Sequence, residues 1–322
     1  MRPRFRLAAV ATIAALASVG GLLAAVPAGA TGHDISTNSI ADPGFSKFGA
    51  TYHVQGTGGR VPMYKSTALS TRFSFVGNAF TAARLSGYTN VWAPHVTQRN
   101  GKYFLFFAAD RPGAEHCIYW AVSSTNAAES YSAPKLLLCA ANRPGESWEA
   151  IDPSTFETAA NNTYLVWRSG HIQPADFPVG DYKIQAVMLR FSGSTVSLAP
   201  GAARVTMLSV ENKAVMEAPD LIRYNNKVYL FISRGDYRNS SYHTDVYIAP
   251  TIHDQFRLLR TVMATGQGFG SGPGGAEVAG IGNNQTGIAW HFRDGAGQRH
   301  ARVGVIEWRR VGASVDYAPY VV

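Results

Sequence analysis

The sequence predicts an all-β chain folded as a five-bladed β-propeller around a central channel. Three observations carry this expectation. Helical periodicity is scarce beyond the N-terminal segment, short aromatic and β-branched runs bounded by Gly, Asn and Pro recur along the chain, and one turn-plus-strand motif returns five times.

The repeats appear in order as "FGATYHVQG" from Phe48, "NGKYFLFFA" from Asn100, "NNTYLVWRS" from Asn161, "NNKVYLFIS" from Asn225 and "NNQTGIAWHF" from Asn283. Each reads as a two-residue hairpin turn followed by a strand, because Asn and Gly accept the left-handed backbone such turns require. The intervals, about fifty to the mid-sixties, match one four-stranded propeller blade. A second run supports the count, with "CIYWAVSS" from Cys117, "YKIQAVML" from Tyr182, "DVYIAP" from Asp245 and "RVGVIEW" from Arg302. A two-sheet sandwich is the competing architecture, but it gives no reason for one motif to return at this interval.

The first thirty residues stand apart. Arg2, Arg4 and Arg6 precede an apolar run from Leu7 to about Val26, and Ala28 to Ala30 supply the small residues of a cleavage site. This is the pattern of a secretory signal peptide over residues 1–30, with an uncleaved anchor as the alternative, and it predicts a secreted, extracellular protein of one domain over residues 31–322. The formal charge of +8 falls by three when the leader arginines are removed. No basic run interleaved with aromatics remains, so nucleic acid is not the expected partner, and after cleavage neither is a membrane. Cys117 and Cys139 both lie in the exported part, where an oxidising compartment favours a disulfide over two buried thiols. No Cys/His spacing of a zinc site is present.

Just ahead of the five turns stand "ADPGF" from Ala41, "WAPHV" from Trp92, "DPSTF" from Asp152, "EAPDL" from Glu217 and "GAEVAG" from Gly275. If the repeats are equivalent blades, these segments enter the innermost strands, and equivalent positions on a closed ring face one axis. Asp42, Asp152 and Glu217 then converge from three blades, in a chain with only 21 Asp and Glu residues. The plainer reading is that Asp-Pro opens a turn and its carboxylate caps nearby amides. Carboxyls crowded in a cleft do not ionise alike, so an acid and a base coexist near neutral pH, which is what hydrolysis of a glycosidic bond needs.

In this order "ADPG", "WAPHV", "IDPSTF", "MEAPDL" and a late "AWHF" resemble glycoside hydrolase family 43, and the resemblance runs from about residue 41 to the C-terminus. It implies a five-bladed propeller that cleaves arabinose- or xylose-containing plant polysaccharides with inversion. It implies further that Asp42 is the general base, Glu217 the general acid, and Asp152 the residue that orients and tunes that acid. Inversion asks for carboxyl groups ~6.5–9.5 Å apart, leaving room for a water.

Other residues carry two readings each. Trp92 either lines the sugar pocket or packs between blades. His291 is either a satisfied channel residue or, as the resemblance implies, the neighbour of a calcium or other ion in the channel; no cofactor is otherwise required. The glycine-rich "GQGFGSGPGGAE" from Gly266 lacks the ending of a phosphate loop and reads as a flexible pocket wall, with Glu277 accepting a sugar hydroxyl. There the chain departs from the family, which often carries His or Asn. No G-x-S-x-G elbow or H-E-x-x-H helix suggests other hydrolytic chemistry. The expected activity is that of a monomeric, exo-acting α-L-arabinofuranosidase on arabinan or arabinoxylan. Endo-arabinanase and β-xylosidase share the triad, and a catalytically silent carbohydrate-binding propeller is the reading from another class.

Overall fold

The computed structural model describes residues 32–111, 114–140, 149–171, 179–312 and 316–322. The leader expected over residues 1–30 lies outside them. Five antiparallel sheets follow one another along the chain. After the short β1 (His33–Asp34), blade one comprises β2 (Gly44–Phe48), β3 (Thr51–Gln55), β4 (Pro62–Ser66) and β5 (Ser74–Asn78). Blade two comprises β6 (Thr89–Arg99), β7 (Lys102–Arg111), β8 (Ala114–Ser123) and β9 (Lys135–Cys139). Blade three runs through β10 (Glu149–Glu157), β11 (Thr163–His171), β12 (Val179–Ser192), β13 (Thr195–Leu198) and β14 (Val205–Ala214). Blade four holds β15 (Met216–Tyr224), β16 (Lys227–Arg234), β17 (His243–Ala249) and β18 (Arg257–Met263). Blade five holds β19 (Ser271–Gly282), β20 (Gln285–Arg293), β21 (Arg299–Arg310) and β22 (Tyr317–Val321).

The innermost strands β2, β6, β10, β15 and β19 pack against one another in that order, and β19 returns to β2. The first and last described strands both join blade five. The outer edge of β21 takes β1 at Arg302 and Val303, and β22 from Ile306 to Arg310. All five turns named from sequence join a first strand to a second. Asn100–Gly101, Asn225–Asn226 and Asn283–Asn284 have positive φ at both positions, as the expected turn demands. Blade three departs from this pattern: its connection is a five-residue loop, Thr158 to Asn162, because the amide of Thr158 bonds the carbonyl of Asn162 before the strands pair.

The second strands β7 and β16 are apolar at most residues because both their faces are buried. In β7, Phe104 and Phe106 point into the core shared with blade three, whereas Leu105 and Phe107 point into the core shared with blade one. In β16, Tyr229 and Phe231 face blade five while Leu230 and Ile232 face blade three. Five such cores fill the five interfaces between blades. Cys117 and Cys139 are opposed on β8 and β9 and form a disulfide, tying the outer strands of blade two.

Gly44 marks how tightly the inner strands approach. A Cβ there would lie 2.0 Å from the carbonyl oxygen of Pro94 on the neighbouring blade, whereas a Cβ on Gly280 would meet nothing within 4 Å. Gly44→Ala is therefore expected to cost ~1–3 kcal/mol in denaturant unfolding, as overpacking does. Gly280→Ala should stay within ~0.5 kcal/mol of the parent.

Candidate active site

Each innermost strand is interrupted at an equivalent point. Asp42, Ala93, Asp152, Ala218 and Gly275 have φ of 45°, 46°, 54°, 50° and 59°, and the strand register jumps at the last four. A proline follows each of the first four, and Ala276 follows Gly275. The bulge turns the backbone amide of that residue toward the preceding blade. Four of these five amides are accepted by a side chain from that blade. Thr57 Oγ1 accepts the Ala93 N–H at 2.8 Å, Asp152 Oδ2 the Ala218 N–H at 2.8 Å, Ser233 Oγ the Gly275 N–H at 2.8 Å, and His291 Nδ1 the Asp42 N–H at 3.1 Å. The turn-capping reading of Asp-Pro thus holds for Asp152, but the amide it caps belongs to the next blade.

Above this ring lies a cavity of about 350 Å³, lined by Asp42, Asp152 and Glu217 together with Trp92, Glu149, Arg168, Tyr237, Tyr242 and Arg299. The three carboxylates named from sequence therefore share one pocket, although they are not strictly equivalent. Asp42 and Asp152 are the bulge residues themselves, whereas Glu217 precedes the bulge residue Ala218 and corresponds to Trp92 of blade two. Trp92 also lines the pocket, stacked on His116 with ring centres 4.0 Å apart.

The carboxylates are held differently. Asp42 accepts Thr57 Oγ1 at 2.7 Å on Oδ2 and Arg299 Nη1 at 3.1 Å on Oδ1. Burial alone would raise its pKa, but the Arg299 charge and the Thr57 hydroxyl outweigh it and hold Asp42 below the ordinary carboxylate range. Asp152 is pushed up to about 8 by burial and by the nearby Glu217 and Asp42 carboxylates. Glu217 is raised as well, chiefly by burial, against the opposing pull of Arg168 and of the Tyr242 hydroxyl, which donates to Oε1 at 2.8 Å. Of these three carboxylates, one is accordingly held ionised and the other two form a pair whose pKa values are both raised.

Two expectations are corrected. Glu277 does not line the pocket. It lies two residues beyond the bulge of β19, farther along the strand, and its Oε1 pairs with His95 Nδ1 at 2.8 Å. With Ser154 and Asp220 it borders a second cavity of about 30 Å³, room for about one water, which adjoins the pocket through Asp42 and Asp152. The stretch from Ser271 onward is the innermost strand of blade five and not a flexible wall.

His291 does not fit a metal ligand. Its Nδ1 accepts the Asp42 amide, which leaves the proton on Nε2, and burial pulls its pKa to about 3, so the ring is neutral with no lone pair to offer. Among the described residues no group of three His, Cys, Asp or Glu is placed to hold a metal ion. The role the structure gives His291 is to fix the backbone of Asp42.

Arg168, Tyr242 and Arg299 escaped the sequence reading. Arg168 and His291 do leave a trace: with Thr57, Ala108 and Ser233 they occupy one position of the second strand, two residues past the partners Gln55, Phe106, Val166, Phe231 and Ala289. A polar residue just after a buried run, repeated in four blades, is that signal.

A five-bladed propeller whose axis carries buried carboxylates of opposed ionisation defines a class of glycan-cleaving protein. The chain belongs to glycosyl hydrolases family 43, whose family model matches residues 33–309, and it is a glycosidase. The fold is similar to that of a thermostable family-43 glycoside hydrolase, with a TM-score of 0.71 and 18% identity over 88% of this chain and 92% of the other. An α-L-arabinanase from Cellvibrio cellulosa, crystallised with arabinohexaose, gives 0.66 and 17% identity over 89% and 96%. A xylan β-1,4-xylosidase from Bacillus halodurans C-125 gives 0.68 and 17% identity over 90% and 56%. At such identities the likeness is one of fold. No curated protein sequence matches the chain.

The raised pKa of Asp152 makes it a cost to stability. Between its unfolded value of 3.8 and its folded value of about 8, only the unfolded chain releases the proton, so the folded state loses ground as pH rises. Asp152→Asn keeps an acceptor for the Ala218 amide without that cost. Its melting temperature should match the parent near pH 4 and exceed it increasingly toward pH 8, by the equivalent of ~1 kcal/mol or more, while glycosidase activity collapses.

Proposed function

We propose that this glycosidase is an inverting, exo-acting α-L-arabinofuranosidase that removes terminal arabinofuranose from arabinan or arabinoxylan outside the cell. The observation that carries the mechanism is the split in ionisation inside one pocket: Asp42 is held as a carboxylate while the Asp152–Glu217 pair retains a proton. Glu217 donates that proton to the glycosidic oxygen as the bond to the anomeric carbon breaks. Asp42 takes a proton from the water that attacks the opposite face. Asp152, itself raised by burial and by the Glu217 carboxylate, shares the proton of the pair and holds the acid in place through the Ala218 amide, the peptide next to Glu217.

A neutral sugar suits the pocket because both of its arginines are committed to carboxylates, Arg168 to Glu149 at 2.8 Å and Arg299 to Asp42 at 3.1 Å. The volume of about 350 Å³ is near the lower end of the ~300–1,000 Å³ typical of small-ligand sites, which favours a chain end over an extended run of polymer. Trp92 offers an aromatic surface for the apolar side of the ring. Arabinose is favoured by the likeness of the "MEAPDL" and "GPGGAE" segments to arabinose-releasing members of the family, and secretion by the leader over residues 1–30. The β-xylosidase reading is kept by the xylosidase neighbour, whose fold is as similar as that of the arabinanase.

Incubation of the chain from Thr31 with linear α-1,5-arabino-oligosaccharides tests the reading. Arabinose alone from the first time point, released with inverted anomeric configuration in proton NMR, is the expected result. Larger fragments would make the enzyme endo-acting, and hydrolysis of xylo-oligosaccharides alone would make it a xylosidase. Glu217→Gln is expected to lose activity on natural oligosaccharides by ~10²-fold or more while sparing aryl glycosides with good leaving groups, which need no proton. Sugar binding without turnover by the parent would leave a carbohydrate-binding propeller.

A further inference from the structure

A fourth carboxylate, Glu149, stands in the pocket with a buried guanidinium between it and Glu217. Arg168 is 2% exposed and locked in place. Its guanidinium lies over the Tyr182 ring at 5.0 Å, and a Cβ on Gly170 would come within 3.2 Å of its Cζ. Nη1 donates to Glu149 Oε2 at 2.8 Å, and Nη2 lies 4.0 Å from Glu217 Oε2, just outside hydrogen-bonding reach. Nε is buried without a partner among the described residues. Glu149 is fixed in turn: its Oε1 is 3.7 Å from His116 Nδ1, which bonds Asp110 Oδ1 at 2.9 Å, and His116 carries Trp92 on its ring.

We propose that Glu149 and Arg168 are a positioning pair that sets the protonation of the general acid: Glu149 holds the guanidinium away from Glu217 while the acid carries its proton, and Arg168 stabilises the carboxylate that Glu217 becomes once the proton passes to the leaving group. The inference rests on the reading of Glu217 as the acid. A buried guanidinium needs a counter-charge, and here two candidates compete for it. Bound to Glu149 alone it leaves a neighbouring carboxyl free to stay neutral, and its short gap to Oε2 closes when that carboxyl ionises. The other groups facing Glu217 are Tyr242 from the segment before β17, Asp152 from β10, Asp42 before β2 and Arg299 from β21. Tyr182, beneath Arg168, faces both Glu149 and Glu217, but the charge that bridges the two is Arg168, so changing Glu149 alters the acid through Arg168.

The test is the alkaline limb of kcat/KM, which reports the acid of the free enzyme. Substrates are an oligosaccharide and an aryl glycoside with a good leaving group, both of the pentose that the parent enzyme releases. In Glu149→Gln the unopposed guanidinium turns to Glu217, and the limb on the oligosaccharide is expected to move to lower pH by about one unit. On the aryl glycoside, which needs no proton from the acid, the pH profile should not move. The double variant Glu149→Gln/Arg168→Met removes both charges at similar volume, so it also answers if the single variant fails to fold. Its limb should move the opposite way, above the parent. A limb unmoved in both variants, or an equal loss on both substrates, would overturn the inference and leave the pair merely structural. If Glu217→Gln shows no dependence on the leaving group, it is the assignment of the acid that fails instead.

Discussion

The site depends on the capping of four of the five bulge amides by the blade before them. Left-handed backbone at Asp42, Ala93, Asp152 and Ala218 is strained for residues with a side chain, at a cost of the order of 1 kcal/mol each. It persists because the proline that follows fixes the next φ and, at Asp42, Ala93 and Ala218, because the amide finds an acceptor one blade away. The result ties the blades at their innermost points, where Thr57, Asp152, Ser233 and His291 act as the clasps. Two of these clasps belong to the chemistry as well. Asp152 is one of the pocket carboxyls, and His291 holds the backbone of another. Fold closure and the placement of the carboxylates are one set of hydrogen bonds.

That economy explains why the ionisations differ. All three carboxylates leave water to a large degree, which by itself would keep all of them protonated. Asp42 escapes because Arg299 and Thr57 both reach it. Asp152 spends one oxygen on a backbone amide and has no such cation at contact distance, and Glu217 has a hydroxyl and a guanidinium that stops short. The base is the carboxylate with the charged partner, and the acid is the one whose charged partner is engaged elsewhere.

Sequence alone reached the blades and the carboxylates for a physical reason. Hairpin turns need Asn or Gly, second strands buried on both faces need apolar runs, and the bulge favours a following proline, so each leaves a mark that returns along the chain, the turn in all five blades and the proline in four. Asp42 and Asp152 were visible because they replace a neutral residue at a repeated position. Glu217 was found one step away from that position. Arg168, Arg299 and Tyr242 were not, since each is used once and its meaning depends on a neighbour from another blade. Glu277 was misplaced because two residues along a strand past a bulge is enough to carry a side chain out of the pocket, to where His95 and not a sugar is its partner. Of the two readings of His291, the structure favours the channel residue through a similar detail, the backbone amide that claims Nδ1.

The central claim is that one pocket holds carboxylates of opposed ionisation at the same pH. Carbon-13 NMR titration of the side-chain carboxyls in the substrate-free protein, assigned through Asp42→Asn, Asp152→Asn and Glu217→Gln, measures this directly. The account predicts that Asp42 remains ionised to below the usual aspartate range, and that Asp152 and Glu217 titrate together at elevated pH, with Asp152 near 8. Three independent titrations near pH 4 would contradict it, because the pocket would then carry three bases and no acid.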